Sequence, residues 1–310
     1  MFNLHRNKIL VPAYEALDNC EFNSAIQYAL KYPLLPESTL IHAWANLFST
    51  TNFLAIEKLV TDLLGSININ SADLNAVQIQ YQSYCLLLQA YTFNLKLKSA
   101  QINLTANGQV TKIDLKINET KEKLSALLKR IAHNNFNQNK LEYYHYELIA
   151  DELLAIKKIK PDLSALSVLA DNTIAYARQA LLPKNHAYTA LMIAAKALLM
   201  RYSFETENYQ LLIRIIQYCN LIIEKIKTTP LQKYLTLIIR AEAKLYFNDK
   251  QAVKQDFLEI LQIPHEQDPD GGPPQVYWDW GVDPYYPGYL LLKHKIRQIY
   301  SELLTELGLR

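Results

Sequence analysis

Glycine is scarce in this chain, and where it falls decides more than how much there is. Of seven glycines in 310 residues, Gly271, Gly272, Gly281, Gly288 and Gly308 all follow Pro264, which leaves only Gly65 and Gly108 before it. Folds that bind nucleotides on a parallel sheet need glycine in the turns after strands and in phosphate loops. With so little glycine, and with no GxGxxG, GxxxxGK[ST] or GxSxG anywhere, the part before Pro264 does not read as a doubly wound or barrel enzyme.

Other absences narrow the class further. Cys20, Cys85 and Cys219 are far apart, odd in number and form no CxxC, so they read as buried or free thiols of a reducing compartment, and the expected localisation is cytoplasmic. The stretch MFNLHRNKILVPAYEALDNC is broken by Pro12 and Glu15 and does not read as a cleavable signal, so export, if this is a secreted effector, would have to do without one. Long apolar runs are missing as well: Ala187 to Met200 contains Lys196 and is too short to span a bilayer. Neither sign of charge dominates, with 32 Lys and Arg against 30 Asp and Glu, whereas a dedicated nucleic-acid binder carries a strong basic excess.

What is present is helix. Half of the residues are apolar, enough for a substantial core. Pro33, Pro36, Pro161, Pro183, Pro230 and Pro264 punctuate the chain, and because proline is tolerated at helix starts but not in helix interiors, they mark the joints of helical hairpins. In SAIQYALK, Ala25 and Ala29 lie one turn apart before Tyr32-Pro33. Ser38 reads as the N-cap of a run carrying Leu40, Ala43, Trp44, Leu47 and Phe48, and a helix from Asn52 is stopped by Gly65. A long helix from Ser71 places Leu74, Val77, Tyr81, Tyr84, Leu88 and Tyr91 on one face, and after Asn107-Gly108 a returning helix from Val110 to Ala132 turns Ile113, Ile117, Leu124, Leu127 and Ile131 inward. Lys116, Lys123 and Arg130 read as its solvated face, interleaved with acids. Three further pairs follow, Lys140–Ile159 with Asp162–Leu182, Asn185–Tyr202 with Glu205–Lys227, and a last one after Pro230.

That last pair is the most telling. From Leu231 to Pro264 the chain runs 34 residues, the length of one helix–turn–helix unit, with the turn at Asn248-Asp249, small Ala241 and Ala252 for a close helix approach, and Phe257 beyond. The segment resembles a tetratricopeptide repeat, although Ala241 and Ala252 stand one residue closer than that family places them and Phe257 one residue further on. The resemblance implies units without chemistry of their own that stack into curved arrays and bind other proteins. Ile239, where the carboxylate-clamping members carry Asn, speaks against a clamp for a C-terminal carboxylate. The family's pattern would turn Ile238, Glu242, Leu245 and Tyr246 toward the partner.

After Pro264 the sequence becomes HEQDPDGGPPQVYWDWGVDPYYPG, rich in proline, glycine and aromatics. Tyr277, Trp278, Trp280, Tyr285, Tyr286 and Tyr289 carry too much apolar surface to be left in water, so this acidic stretch is expected to pack as a loop and to contribute Tyr277, Trp278, Trp280 and Tyr285 to partner binding. A helix from Leu290 to Leu307 is expected to cap the array. The fold class is therefore all-α, an irregular right-handed α-solenoid of antiparallel helix pairs, divided into N-terminal hairpins (1–136), tetratricopeptide-like repeats (137–264), the loop (265–289) and the capping helix (290–310).

Glu142 and His145 form a single ExxH, whereas a di-iron bundle needs two, so no metal or cofactor is expected. Asp268, Asp270, Asp279 and Asp283 lack the order of a calcium loop and read as turn formers. Asp279 between Trp278 and Trp280, with Asp283 after it, is also how sugar-cleaving or sugar-binding sites are built, which keeps a carbohydrate-active helical toroid as the alternative. Residues 178–254 hold twelve Lys and Arg against five Asp and Glu; this reads either as solvated helix faces or as a basic groove for an acidic partner or for the chain's own acidic loop. The leading expectation is a non-enzymatic scaffold that binds a protein or peptide, with no catalytic residues. The abundance of Asn, Lys, Ile and Tyr suggests an AT-rich, bacterial genome.

Overall fold

The computed structural model describes residues 7–50, 52–68, 73–99, 113–132, 160–179 and 184–263, together with positions 148, 291, 294, 295, 301, 302 and 305. Among these residues there is helix and no strand. In chain order the helices are α1 (Val11–Asp18), α2 (Phe22–Leu30), α3 (Pro36–Ser49), α4 (Phe53–Ser66), α5 (Leu74–Ser99), α6 (Ile113–Ala132), α7 (Leu163–Gln179), α8 (Lys184–Tyr202), α9 (Tyr209–Lys225), α10 (Pro230–Tyr246) and α11 (Lys250–Leu261), with a short 3₁₀ turn at Lys8–Leu10. No helix of the described residues is long and apolar enough to cross a membrane.

Local chemistry sets the boundaries. Pro36 and Pro230 open α3 and α10, where their missing N–H groups cost nothing. Thr229 and Gln232 form a capping box: the Gln232 N–H donates to Thr229 Oγ1 at 3.2 Å and the Thr229 N–H donates to Gln232 Oε1 at 3.1 Å. Asn52 and Asp249 cap α4 and α11 by accepting from Ala55 N–H at 3.2 Å and Ala252 N–H at 3.0 Å. Two expectations fail here. Ser38 is not a cap but a buried residue inside α3, because Pro36 starts the helix earlier. Gly65 does not stop α4, which continues through Ser66. Likewise α9 begins at Tyr209 rather than Glu205, because residues 203–208 are taken up by turns that fold back on the end of α8.

The chain packs as two compact units, with α1–α6 and position 291 in the first and α7–α11 with positions 148, 294, 295, 301, 302 and 305 in the second. Within each unit a helix packs on its neighbours in sequence. First helices of successive pairs also touch: α1 on α3 and α3 on α5 in the first unit, α8 on α10 in the second. Alanines make the close approaches possible. Ala13, Ala25, Ala43 and Ala45 are fully buried in the first unit, and Ala190, Ala194, Ala195 and Ala197 in α8 of the second. In α3 the expected core face is the observed one, and Trp44 stacks on Phe48 with ring centres 5.8 Å apart. Helix α5 departs from its expected single face. Tyr81, Tyr84, Leu88 and Tyr91 are buried, but so are Gln80, Gln82, Ser83 and Cys85, because α3, α4 and α6 all pack on it.

Candidate functional site

The pair α10–α11, where the family resemblance lies, is joined by a three-residue turn. Asn248 adopts φ 58°, the Asn248 N–H donates to Leu245 O at 2.9 Å, and the Asp249 N–H donates to Lys244 O at 3.2 Å. This is a Schellman motif, which closes the exposed carbonyls of a helix end through one left-handed residue. The same turn joins α1 to α2: Cys20 has φ 66°, its N–H donates to Leu17 O at 3.2 Å, and the Glu21 N–H donates to Ala16 O at 2.8 Å. In both places the residue after the left-handed position becomes the N-cap of the next helix. Of the alanines expected at the α10–α11 approach, Ala241 is fully buried, whereas Ala252 is half-buried and Val253 and Phe257 fill the contact instead.

Across this hairpin runs a buried ionic network. Arg240 donates from Nε and Nη2 to the Asp256 carboxylate, at 3.1 and 2.7 Å to Oδ1, and from Nη1 to Asn220 Oδ1 of α9 at 2.9 Å. Lys244 donates to the same Asp256 oxygen at 2.7 Å. Asp256 is fully buried and Arg240 nearly so. Glu259 stands at the rim, 3.4 Å from Arg240 and 3.6 Å from Lys233. Beside them the Cys219 thiol is pushed up to about 12 by burial, with Asp256 adding to the shift and Arg240 and Lys244 opposing it. Three helices are thus tied by charge in a place where an aqueous groove has no room. Sequence reasoning missed the network, although Arg240 and Asp256 stand equally far from Asn248 on the two arms of an antiparallel hairpin.

The surface is found at the other edge of the same pair. Tyr202 ends α8, Tyr209 starts α9, and Tyr246 and Phe247 end α10, and the four rings meet. Tyr202 and Tyr246 have ring centres 5.1 Å apart, Tyr202 and Tyr209 6.4 Å, and Tyr209 stacks on Phe247 at 5.9 Å with 29° between the planes. Pairs of this kind contribute about 0.5–1.5 kcal/mol beyond the area they bury. Tyr202 is buried at 3 % exposure while Tyr209 is 52 % exposed, so the cluster runs from the core to the solvent. Lys295 joins it: its ammonium donates to Glu242 Oε1 and lies 5.9 Å from the Tyr246 ring centre.

The residues expected to face a partner are therefore divided. Ile238 turns inward and is buried. Leu245 is half-buried, and Glu242 and Tyr246, also half-buried, hold Lys295. Tyr277, Trp278, Trp280 and Tyr285, the Asp279–Asp283 pair and the Glu142–His145 pair lie outside the described residues. Among the described residues no group of three His, Cys, Asp or Glu is placed to hold a metal.

Part of the basic excess of residues 178–254 is answered by ion pairs. Arg201 pairs with Glu205 at 2.7 Å, Arg214 with Asp171, Lys233 with Glu259, Arg240 and Lys244 with Asp256, and Lys254 with Glu302 at 3.8 Å. Asp171, Asp256, Glu259 and Glu302 all come from outside that window, so the fold answers part of the excess with acids distant in sequence, while Lys295, also from outside, takes up Glu242. Compared with models of protein families, with curated proteins and with solved structures, the chain matches none.

Proposed function

We propose that the protein is a non-catalytic scaffold of tetratricopeptide-like helix pairs that binds a protein partner at the aromatic edge formed by Tyr202, Tyr209, Tyr246 and Phe247. The observation that carries this reading is the exposed Tyr209 stacked on partly buried Phe247, backed by the buried Tyr202 ring. Rigid aromatic side chains with half their surface in water and half in the core are what interaction hot spots are made of, since little conformational entropy remains to be lost on binding. The recurrence of one left-handed turn between the helices of two distant pairs, and the contacts between successive first helices, support the repeat architecture. The cytoplasm of a bacterium is the compartment this reading assumes.

A photo-crosslinking amino acid placed at Tyr209 in native cells tests it. The expected result is a discrete protein adduct that disappears when Phe247→Glu is added, with the helical circular dichroism of that variant unchanged. If the probe at Tyr209 captures nothing, or the same products as a probe at exposed Leu54 of α4, this edge is not the binding surface.

A further inference from the structure

We infer that Glu242 and Tyr246 form a receptor for a primary alkylammonium group, that Lys295 fills it in cis, and that a lysine of a bound partner takes its place. The last step rests on the scaffold reading above; the receptor itself rests on geometry alone. The ammonium of Lys295 donates to one carboxylate oxygen of Glu242 and lies 5.9 Å from the centre of the Tyr246 ring. Glu242 and Tyr246 sit on one face of α10, one turn apart, so their spacing is set by the helix and not by two loops. The Tyr246 ring is in turn held by Tyr202, whose own ring is buried. A carboxylate and a neighbouring aromatic ring satisfy an ammonium with little reorganisation, and the ring favours a cation over a neutral amide.

Two features set this pair apart from the network at the other edge. The Arg240–Asp256 pair is enclosed by three helices, whereas Lys295 keeps 39 % of its side chain exposed and Glu242 22 %, so the ammonium can leave and another can enter without unfolding the unit. The site also adjoins the stack of exposed Tyr209 on Phe247 through Tyr202. A partner segment lying on that stack with a lysine at one end would meet Glu242 and compete with Lys295. Contact with Glu242 and Tyr246 holds the Lys295 ammonium above its ordinary pKa against the opposing effect of burial, so the occupant is fully charged at neutral pH.

The test uses the full chain carrying Lys295→Ala and, as probe, Nα-acetyl-lysine methylamide, with its Nε-acetylated form as the neutral control. The expected result is a saturable rise in melting temperature of the variant at millimolar probe. The control should give no response, nor should wild type over the same range, nor the double variant Glu242→Gln/Lys295→Ala. Equal responses of wild type and Lys295→Ala, or no response of the variant, would overturn the inference. Should the alanine variant fail to fold, lysine acylation of the wild-type chain read residue by residue decides instead. Lys295 should react several-fold more slowly than exposed Lys250 and speed up in Glu242→Gln, and equal rates would overturn it. Neither measurement involves the partner, so failure here leaves the Tyr209 crosslink standing, and failure of the crosslink leaves the receptor standing.

Discussion

Asp256→Asn is the substitution whose effect the structure defines most closely. Asp256 is fully buried and receives Arg240 Nε and Nη2 and Lys244 Nζ, the two closest contacts at 2.7 Å. Asparagine keeps the volume but removes the charge, and it turns one acceptor into a donor that points at cations. Two positive groups are then left in the protein with only Glu259, 3.4 Å from Arg240 and partly exposed, to answer them. Breaking a buried pair in this way costs about 3–5 kcal/mol, because the surviving charge is desolvated and uncompensated. At about 2–4 °C per kcal/mol for a unit of this size, the melting temperature should fall by roughly 6–20 °C. The assay is urea-dependent thiol labelling of Cys219, which is fully buried beside the network, so its midpoint reports the opening of this unit. Lys233→Ala breaks an exposed pair at 3.6 Å and should cost about 0.5 kcal/mol or less. Replacing the network together, as Arg240→Met/Lys244→Met/Asp256→Leu, should recover most of the loss. A loss below about 1 kcal/mol for Asp256→Asn would mean that water reaches the site, and the argument from burial would fall.

Two further outcomes follow from the turns and the thiols. Asn248 at φ 58° should accept glycine within a few tenths of a kcal/mol, whereas Asn248→Val should cost about 1–2 kcal/mol, since a branched Cβ clashes in the left-handed conformation; urea melts of the two variants compare them directly, and equal stabilities would refute the turn geometry. Cys20 and Cys219, both pushed up to about 12 by burial, should remain unmodified by iodoacetamide at pH 8 and react on adding denaturant, and rapid modification of the native chain, read by mass, would show that these cores are open.

Much of the helical pattern was legible in residue order. The helix starts at Pro36 and Pro230, the Leu40–Phe48 face and the antiparallel turn at Asn248-Asp249 rest on rules that act within a few residues, and the structure follows them. Where local rules erred, a neighbour in space intervened. Pro36 preempted Ser38 as the start of α3. The all-round burial of α5 comes from three helices closing on it, and no periodicity of α5 itself announces that. The candidate site was only half visible. The resemblance pointed to Ile238, Glu242 and Tyr246 on α10, whereas Tyr202, Tyr209 and Lys295 come from other elements, and Ile238 faces the core.

The sequence by itself determined the helical class, through scarce glycine, absent phosphate-loop motifs and helix-period apolar runs between prolines, because these signals act over one or two turns of chain. Tertiary structure alone decided the electrostatics. Twelve basic residues against five acidic ones between 178 and 254 describe a window, and a window does not know which acids fold onto it. Asp171, Asp256, Glu259 and Glu302 do so, because the antiparallel return of each helix brings residues far apart in order to within a few ångströms. Charges interact through that distance and not through sequence separation.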